Sequence, residues 1–352
     1  MALLEVRDLS VRFATDDGVV RAVDGVSYAV EAGRSLGIVG ESGSGKSVSS
    51  LTILGLTRAP NATFTGQVMF EGRDLLTLSE AEMREVRGEG IAMIFQDPLS
   101  SLHPFHRIGD QLIEAVRTHH DVSKQAAADR AIEVLTLVGI PEPRARMSAY
   151  PHEFSGGMRQ RTMIAMALIN SPKVLIADEP TTALDVTVQA QILELIGRLQ
   201  EETGTAVILI THDLGVVAEM THEIAVMYAG RIVERAPTAD LFASPQHPYT
   251  WGLLRSIPRL DASRDEQLVP IDGRPPSLIN LPSGCSFHPR CAFVREAHKR
   301  VDPALEPVDG DPTHEVACLL APQTRRELWR RLAAGEPPDR VRATVPMGDA
   351  RA

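Results

Sequence analysis

The chain has few cysteines, no long apolar run and no excess of basic charge. Three cysteines in 352 residues are too few, and odd in number, for a disulfide framework. No run of about 18 apolar residues occurs, so no segment is expected to span a bilayer as a helix. The opening Met1-Ala-Leu-Leu-Glu5-Val-Arg7 lacks the basic start and long apolar stretch of a secretory signal. A cytosolic protein is therefore expected, with any membrane role supplied by a partner. A formal net charge of −10 argues against a general affinity for nucleic acid, which needs clustered Lys and Arg. A hydrophobic fraction of 43% suits a packed core. The length allows two domains at about 100–200 residues each.

Periodicity divides the chain. From Leu3 to about Val30 apolar and polar residues alternate in two stretches around Asp16-Asp17-Gly18, which predicts an antiparallel hairpin. Further strands are predicted at Ser35 to Val39, Gly66 to Glu71, Ile91 to Phe95, Val174 to Ala177, Ala206 to Ile210 and finally Ile224 to Met227. Helical spacing marks Lys46 to Leu56, Met158 to Ile169 and Val188 to Leu199. It also marks the stripes Ile108, Leu112, Ala115, Val116 and Ala131, Val134, Leu135, Val138 of an inserted helical region. Strands alternating with helices imply a mainly parallel sheet with crossover helices. After about Pro258 prolines break up the chain and periodicity fades, which predicts a second, small, loop-rich domain. Gly335 to Ala352 is expected to fray.

The chemistry lies in short motifs. Gly40-Glu-Ser42-Gly43-Ser44-Gly45-Lys46-Ser47 fits the phosphate-loop pattern, follows an apolar strand and opens a helix. Glycines let backbone N–H groups approach phosphate, and the helix adds its positive end. Lys46 supplies a point charge for the β and γ phosphates, and the Ser47 hydroxyl a Mg2+ ligand. Asp178, ending an apolar strand, can hold Mg2+ directly or through water. Glu179 points the other way if that strand continues, and can polarise the water that attacks the γ-phosphate. His212 follows another apolar strand and can hydrogen-bond that phosphate, holding water and Glu179 in line. Gln96 opens the helical insert and can touch Mg2+ or the attacking water. Phe13 is a candidate to stack on adenine, or else a core residue. Ser155-Gly156-Gly157 reads as an N-capped helix start open to close approach by phosphate.

The order of these motifs, phosphate loop, Gln96, Phe154-Ser-Gly-Gly-Met158, Asp178-Glu179, Ala183-Leu184-Asp185 and His212, resembles the nucleotide-binding subunit of ATP-binding-cassette (ABC) transporters. The resemblance implies an α/β P-loop ABC ATPase: a RecA-like core, an antiparallel β subdomain and a helical subdomain at about 97–160, all within residues 1–257. It implies ATP and Mg2+ as ligands. It also implies that Ser155, Gly156, Gly157 and Asp185 face ATP held by a second ATPase subunit, so that two chains sandwich two nucleotides. Phe-Ser-Gly-Gly-Met replaces the frequent Leu-Ser-Gly-Gly-Gln, and Val48 replaces a frequent Thr beside the phosphates. A DNA-repair ABC ATPase is disfavoured because the interval from Ser47 to Ser155 is too short for a long coiled coil. A translation-type ATPase usually carries two cassettes, and a pure binding module would not need Glu179 and His212.

Downstream, Pro245-Gln-His-Pro-Tyr-Thr250 and Gly284-Cys285-Ser-Phe-His288-Pro-Arg290-Cys291 resemble the oligopeptide/dipeptide importer branch. This implies a C-terminal domain at 258–322, followed by a tail at 323–352 expected to be flexible. It further implies a different ATPase chain as dimer partner, two transmembrane permease subunits, an extracytoplasmic peptide-binding protein, and a peripheral place on the cytoplasmic face of the membrane. Import of nickel or another small solute stays open within the branch. Cys285, Cys291, His298 and Cys318 are the expected ligands of a four-iron, four-sulfur cluster, zinc and reduced structural thiols being the alternatives. His298 stands where family members often carry a further Cys.

Overall fold

The fold is given by a computed structural model that describes residues 2–97, 101–181, 186–256 and 270–345. Strands β1 (Leu4–Thr15) and β2 (Gly18–Val30) form the hairpin that the alternation predicts. β3 (Ser35–Val39), buried along its whole length, runs into the glycine-rich loop and helix α1 (Lys46–Ile53). β4 (Ala62–Phe70) and the short β5 (Arg73–Asp74) follow. Helix α2 (Glu80–Val86) starts on a Ser79–Glu82 capping box, and β6 (Ile91–Ile94) comes next.

The helical insert holds α3 (Ile108–His119) and α4 (Lys124–Leu137), and α5 (Gly156–Leu168) leads out of it. Then come β7 (Val174–Asp178), α6 (Val186–Thr203), β8 (Ala206–Thr211), α7 (Leu214–Met220), β9 (Glu223–Tyr228) and β10 (Arg231–Pro237). The chain continues through α8 (Thr238–Ala243), α9 (Pro248–Arg255), β11 (Glu306–Val308), β12 (Asp311–Val316), α10 (Pro322–Ala333) and α11 (Pro338–Thr344).

Among the described residues two sheets form, one of four strands in the order β2-β1-β4-β5 and one of eight in the order β11-β12-β10-β9-β3-β8-β7-β6. The run from β9 to β6 is parallel, and its short strands are buried on both faces, as helix-covered parallel strands are. The other three strands join antiparallel. One apolar cluster joins the two sheets through Leu4, Val11, Ile38, Ile176 and Ile208. A second ties the insert to α5 and α6 through Leu112, Val134, Ile164 and Ile196.

A third cluster changes the reading of the C-terminal part. Tyr228, Tyr249 and Trp251 of the cassette pack with Cys285, Phe287, Phe293, Leu328, Leu332 and Val341. The described residues from 270 to 345 therefore share a core with the cassette, and β11 and β12 extend its sheet. The tail expected to be flexible from 323 is helical through Thr344 and packed, with Leu328 and Val341 fully buried. Pro322 and Pro338 are not breakers here: each occupies the first turn of a helix, where the missing N–H costs nothing. β10 escaped prediction because Glu234 lies in mid-strand. It is fully buried and accepts hydrogen bonds from the backbone N–H groups of Gln246 and His247 (2.6 and 2.8 Å), with His314 Nε2 2.9 Å away.

Candidate nucleotide site

Strand register gathers the site. Val39 of β3 lies beside Thr211 of β8, and Ile210 beside Asp178 of β7. Gly40, Glu179 and His212 thus leave neighbouring parallel strands at their carboxyl ends, the edge where open α/β sheets bind ligands. Gly40 has φ 155°, and a Cβ there would lie 2.1 Å from the Met227 carbonyl oxygen. Gly45 has φ 101°, and a Cβ there would lie 2.2 Å from the Ala22 carbonyl oxygen. No other residue fits either place. Ser42 and Gly43 are exposed, Ser44 is buried, and Ser47 and Val48 are half-buried.

Lys46 is buried and donates from Nζ to the carbonyl oxygens of Gly40 (2.8 Å) and Glu41 (2.9 Å). Burial lowers its pKa, while Glu179, Asp178 and Glu41 pull the other way. Asp178 is 5% exposed, and its Oδ1 has no hydrogen-bond partner. Burial raises its pKa and the Ser47 hydroxyl opposes this. An unsatisfied carboxylate oxygen beside a serine hydroxyl is a donor set suited to Mg2+, so these residues fit the metal that accompanies ATP.

Glu179 reaches its place differently from the expectation. The strand ends at Asp178, and Glu179 turns into the left-handed region with φ 47°. Its N–H donates to the Ile210 carbonyl (2.8 Å). Its Oε2 accepts from Gln96 Nε2 at 2.9 Å, and its Oε1 lies 3.3 Å from His212 Nδ1. A strained backbone of this kind persists only where its surroundings hold it, as at functional sites. Gln96 and His212 are themselves exposed.

Phe13 is half-buried at the edge of the hairpin core. Tyr28 is buried, and its hydroxyl lies 3.2 Å from Ser49 Oγ. Ser155 caps α5, accepting from Met158 N–H at 3.3 Å, and Ser155 and Gly156 are exposed while Gly157 is half-buried. Buried Gln160, on the same helix, donates from Nε2 to the Pro180 carbonyl, one residue past Glu179. Asp185 lies outside the described residues.

Among the described residues nothing supports the iron–sulfur cluster expected at Cys285, Cys291, His298 and Cys318. Among the described residues no three His, Cys, Asp or Glu side chains assemble a metal-holding group. Cys285 and Cys291 are buried, and burial pushes the Cys285 thiol up to about 11. His298 is buried, its Nδ1 accepting from the Arg295 N–H (3.3 Å).

Sequence reasoning missed Glu41, Tyr249 and Arg290 at the nucleotide edge. The Glu41 N–H donates to the Tyr249 hydroxyl oxygen at 2.8 Å. Arg290 donates to both carboxylate oxygens of Glu41, at 2.6 and 2.9 Å. These partners lie more than 200 positions apart, and no periodic signal joins them.

Comparison with known proteins places this geometry. The ABC transporter family profile matches residues 23–182, and that of the oligopeptide/dipeptide transporter C-terminal region matches 233–297. The second match crosses the 257/258 boundary suggested by composition. The oligopeptide transport ATP-binding protein OppD of Bacillus subtilis is 50% identical over 97% of this chain and 94% of its own length. The chain belongs to the ABC transporter ATP-binding proteins of the oligopeptide/dipeptide branch. The dipeptide transport ATP-binding protein DppD of Bacillus subtilis is 52% identical to this branch member over 91% of this chain and 95% of its own length. The ATP-binding cassette MJ0796, solved as a dimer in a post-hydrolysis state with ADP and phosphate, superposes with a TM-score of 0.60. It is 26% identical, with 67% of this chain and 98% of that one covered. The P-loop ABC ATPase fold and ATPase class expected for this cassette are those of its family.

Proposed function

We propose that this chain is the ATP-hydrolysing subunit of an importer that draws di- and oligopeptides across the cytoplasmic membrane. The observation that carries the hydrolytic reading is the Glu179 carboxylate, held between Gln96 and His212 at the end of the parallel strands. The names of the relatives, oligopeptide and dipeptide transport proteins, support the solute class.

In this reading Phe13 stacks on adenine. The loop from Gly40 to Val48 cradles the phosphates, and Lys46 exchanges its two carbonyl partners for phosphate oxygens. Asp178 and Ser47, with Gln96, would hold Mg2+, which would supply positive charge to offset that of the triphosphate. Glu179 orients and polarises the attacking water, and His212 fixes both Glu179 and the γ-phosphate. Ser155, Gly156, Gly157 and Asp185 serve the nucleotide of a second ATPase subunit, a different chain. Among the described residues no helix is long and apolar enough to cross a membrane, so in this reading transport needs two permease subunits, fed by an extracytoplasmic binding protein. The chain then sits on the cytoplasmic face.

Purification from solubilised membranes tests the assembly. Two permease chains and a second ATPase should come with it, and ATP turnover by the reconstituted complex should rise with peptide-loaded binding protein. Stimulation by nickel or another small solute in place of peptide would shift the reading to that substrate. Absence of any membrane partner would overturn it.

A further inference from the structure

The phosphate loop is held from an unexpected direction. Glu41, its second residue, is gripped at three points. Its carboxylate takes both Nη groups of Arg290, its N–H meets the Tyr249 hydroxyl, and its carbonyl accepts Lys46 Nζ. Two of these three partners come from the region after β10.

Arg290 is built for one position. Its side chain is 4% exposed. Nε donates to the Asp272 carbonyl (2.9 Å) and Nη2 also to that of Ile271 (3.4 Å), while Nη1 lies 3.5 Å from the Tyr228 hydroxyl. The guanidinium carbon lies 5.8 Å from the Tyr228 ring centre and 5.9 Å from that of Phe287. A planar, bidentate, aromatic-flanked site of this kind suits arginine and not lysine. The same segment is stitched to β2, where the Arg21 N–H donates to the Leu278 carbonyl (3.0 Å). The next residue, Ala22, supplies the carbonyl that crowds Gly45.

We infer that Arg290 is a positioning residue for ATP: the Cys285–Cys291 segment reaches back through it to Glu41 and sets the shape of the phosphate loop. The carbonyls of Gly40 and Glu41 hold Lys46 in readiness. Where Glu41 sits therefore decides where the ammonium group stands when triphosphate arrives. Occupancy of the nucleotide site is thereby coupled to the packing of the C-terminal region. The inference rests on the ATP-binding reading of the loop.

The test uses the full chain carrying Arg290→Met, Arg290→Lys, Glu41→Gln, or Arg290→Met with Glu41→Gln. Equilibrium binding of a fluorescent ATP analogue with Mg2+ is measured beside thermal unfolding without nucleotide. Arg290→Met should weaken binding about tenfold, the loss expected for a charge-assisted pair, and Arg290→Lys should recover only part of it. The double variant should lose no more than the worse single one, because the pair acts as a unit. In the assembled ATPase the effect should fall on KM for ATP more than on kcat.

Variants that unfold like wild type and bind within twofold of it, strictly additive losses, or a fall in kcat with KM unmoved would each overturn the inference. If Arg290→Met does not fold, Glu41→Gln, which keeps size and one acceptor, decides by the same binding measurement. Failure of the wild-type chain to bind nucleotide would sink the ATP reading together with the inference, whereas wild-type binding with unmoved variants sinks the inference alone.

Discussion

Gln96 and Glu179 meet at 2.9 Å although 83 positions separate them. Gln96 follows β6 and Glu179 follows β7, and those strands are parallel neighbours. The contact joins the start of the helical insert to the proposed general base. Glu179→Gln keeps the shape of that residue and removes its charge. ATP binding should persist, and turnover should fall about 100- to 10,000-fold, the usual worth of a positioned base. Single-turnover hydrolysis with labelled ATP measures this. Rapid cleavage by the variant would remove Glu179 from its role.

Asp178 carries a buried, incompletely satisfied carboxylate. Its pKa is raised, first by burial, so ionising it costs more in the folded chain than in the unfolded one. The sign follows: at pH above that raised value the ionised group costs the nucleotide-free fold stability, and the cost disappears as pH falls through it. Asp178→Asn should therefore raise the Tm of the nucleotide-free chain at pH 8, with the gain shrinking toward pH 4. The same change should abolish the extra stabilisation that Mg2+ adds to ATP. Thermal melts with ATP and chelator, then with ATP and Mg2+, check both halves. An unchanged Mg2+ increment would remove Asp178 as a metal ligand.

His247 is a second pH-dependent group, far from catalysis in role. It is 1% exposed and caps α9, its Nδ1 accepting from the Tyr249 N–H at 3.1 Å. Burial lowers its pKa from 6.5 to about 3. A depressed histidine stabilises the fold above 6.5 and loses that contribution as pH falls toward 3. His247→Asn retains a capping side chain and should flatten the acid limb of a plot of unfolding free energy against pH. An acid limb as steep as in the wild type would assign the sensitivity elsewhere.

How much was legible follows from the kind of signal. The parallel core was readable because its strands are short apolar runs between glycines and acids, and α3 and α4 because each carries a full apolar stripe. The residues of the site were readable because phosphate chemistry fixes their types and spacing. The geometry that presents them was less so. The strand periodicity carried past Asp178 predicts an extended Glu179, whereas its φ is 47° and its carboxylate meets Gln96 and His212. The C-terminal part was misread where local sequence opposes the tertiary result. Buried Glu234 hides a strand, helix-starting prolines look like breakers, and α10 shows few apolar residues although Leu328 and Leu332 are buried against the cassette. The Glu41–Arg290 pair spans 249 positions, and such a pairing leaves no trace in a single sequence.

The proposal that this chain completes its partner's site can be separated from its own nucleotide binding at Gly156. That glycine is exposed in the first turn of α5, and a Cβ built on it meets nothing within 4 Å. An aspartate there has room, and its charge suits a helix N-terminus, so Gly156→Asp should leave folding and the phosphate loop of the same chain intact. The added carboxylate would, however, face the triphosphate of the opposite subunit at close range, where like charges repel and the helix end no longer offers itself to phosphate. Nucleotide binding by the isolated chain should match wild type within about twofold, a surface change worth less than 0.5 kcal/mol. Turnover by the paired ATPase should fall at least about a hundredfold, equivalent to roughly 2.7 kcal/mol of lost transition-state stabilisation. Nucleotide binding by the isolated chain and hydrolysis by the reconstituted pair, measured on one preparation, distinguish the two. Full turnover with Gly156→Asp, or turnover at wild-type rate by a chain kept strictly monomeric, would show that this helix start serves no neighbour's nucleotide.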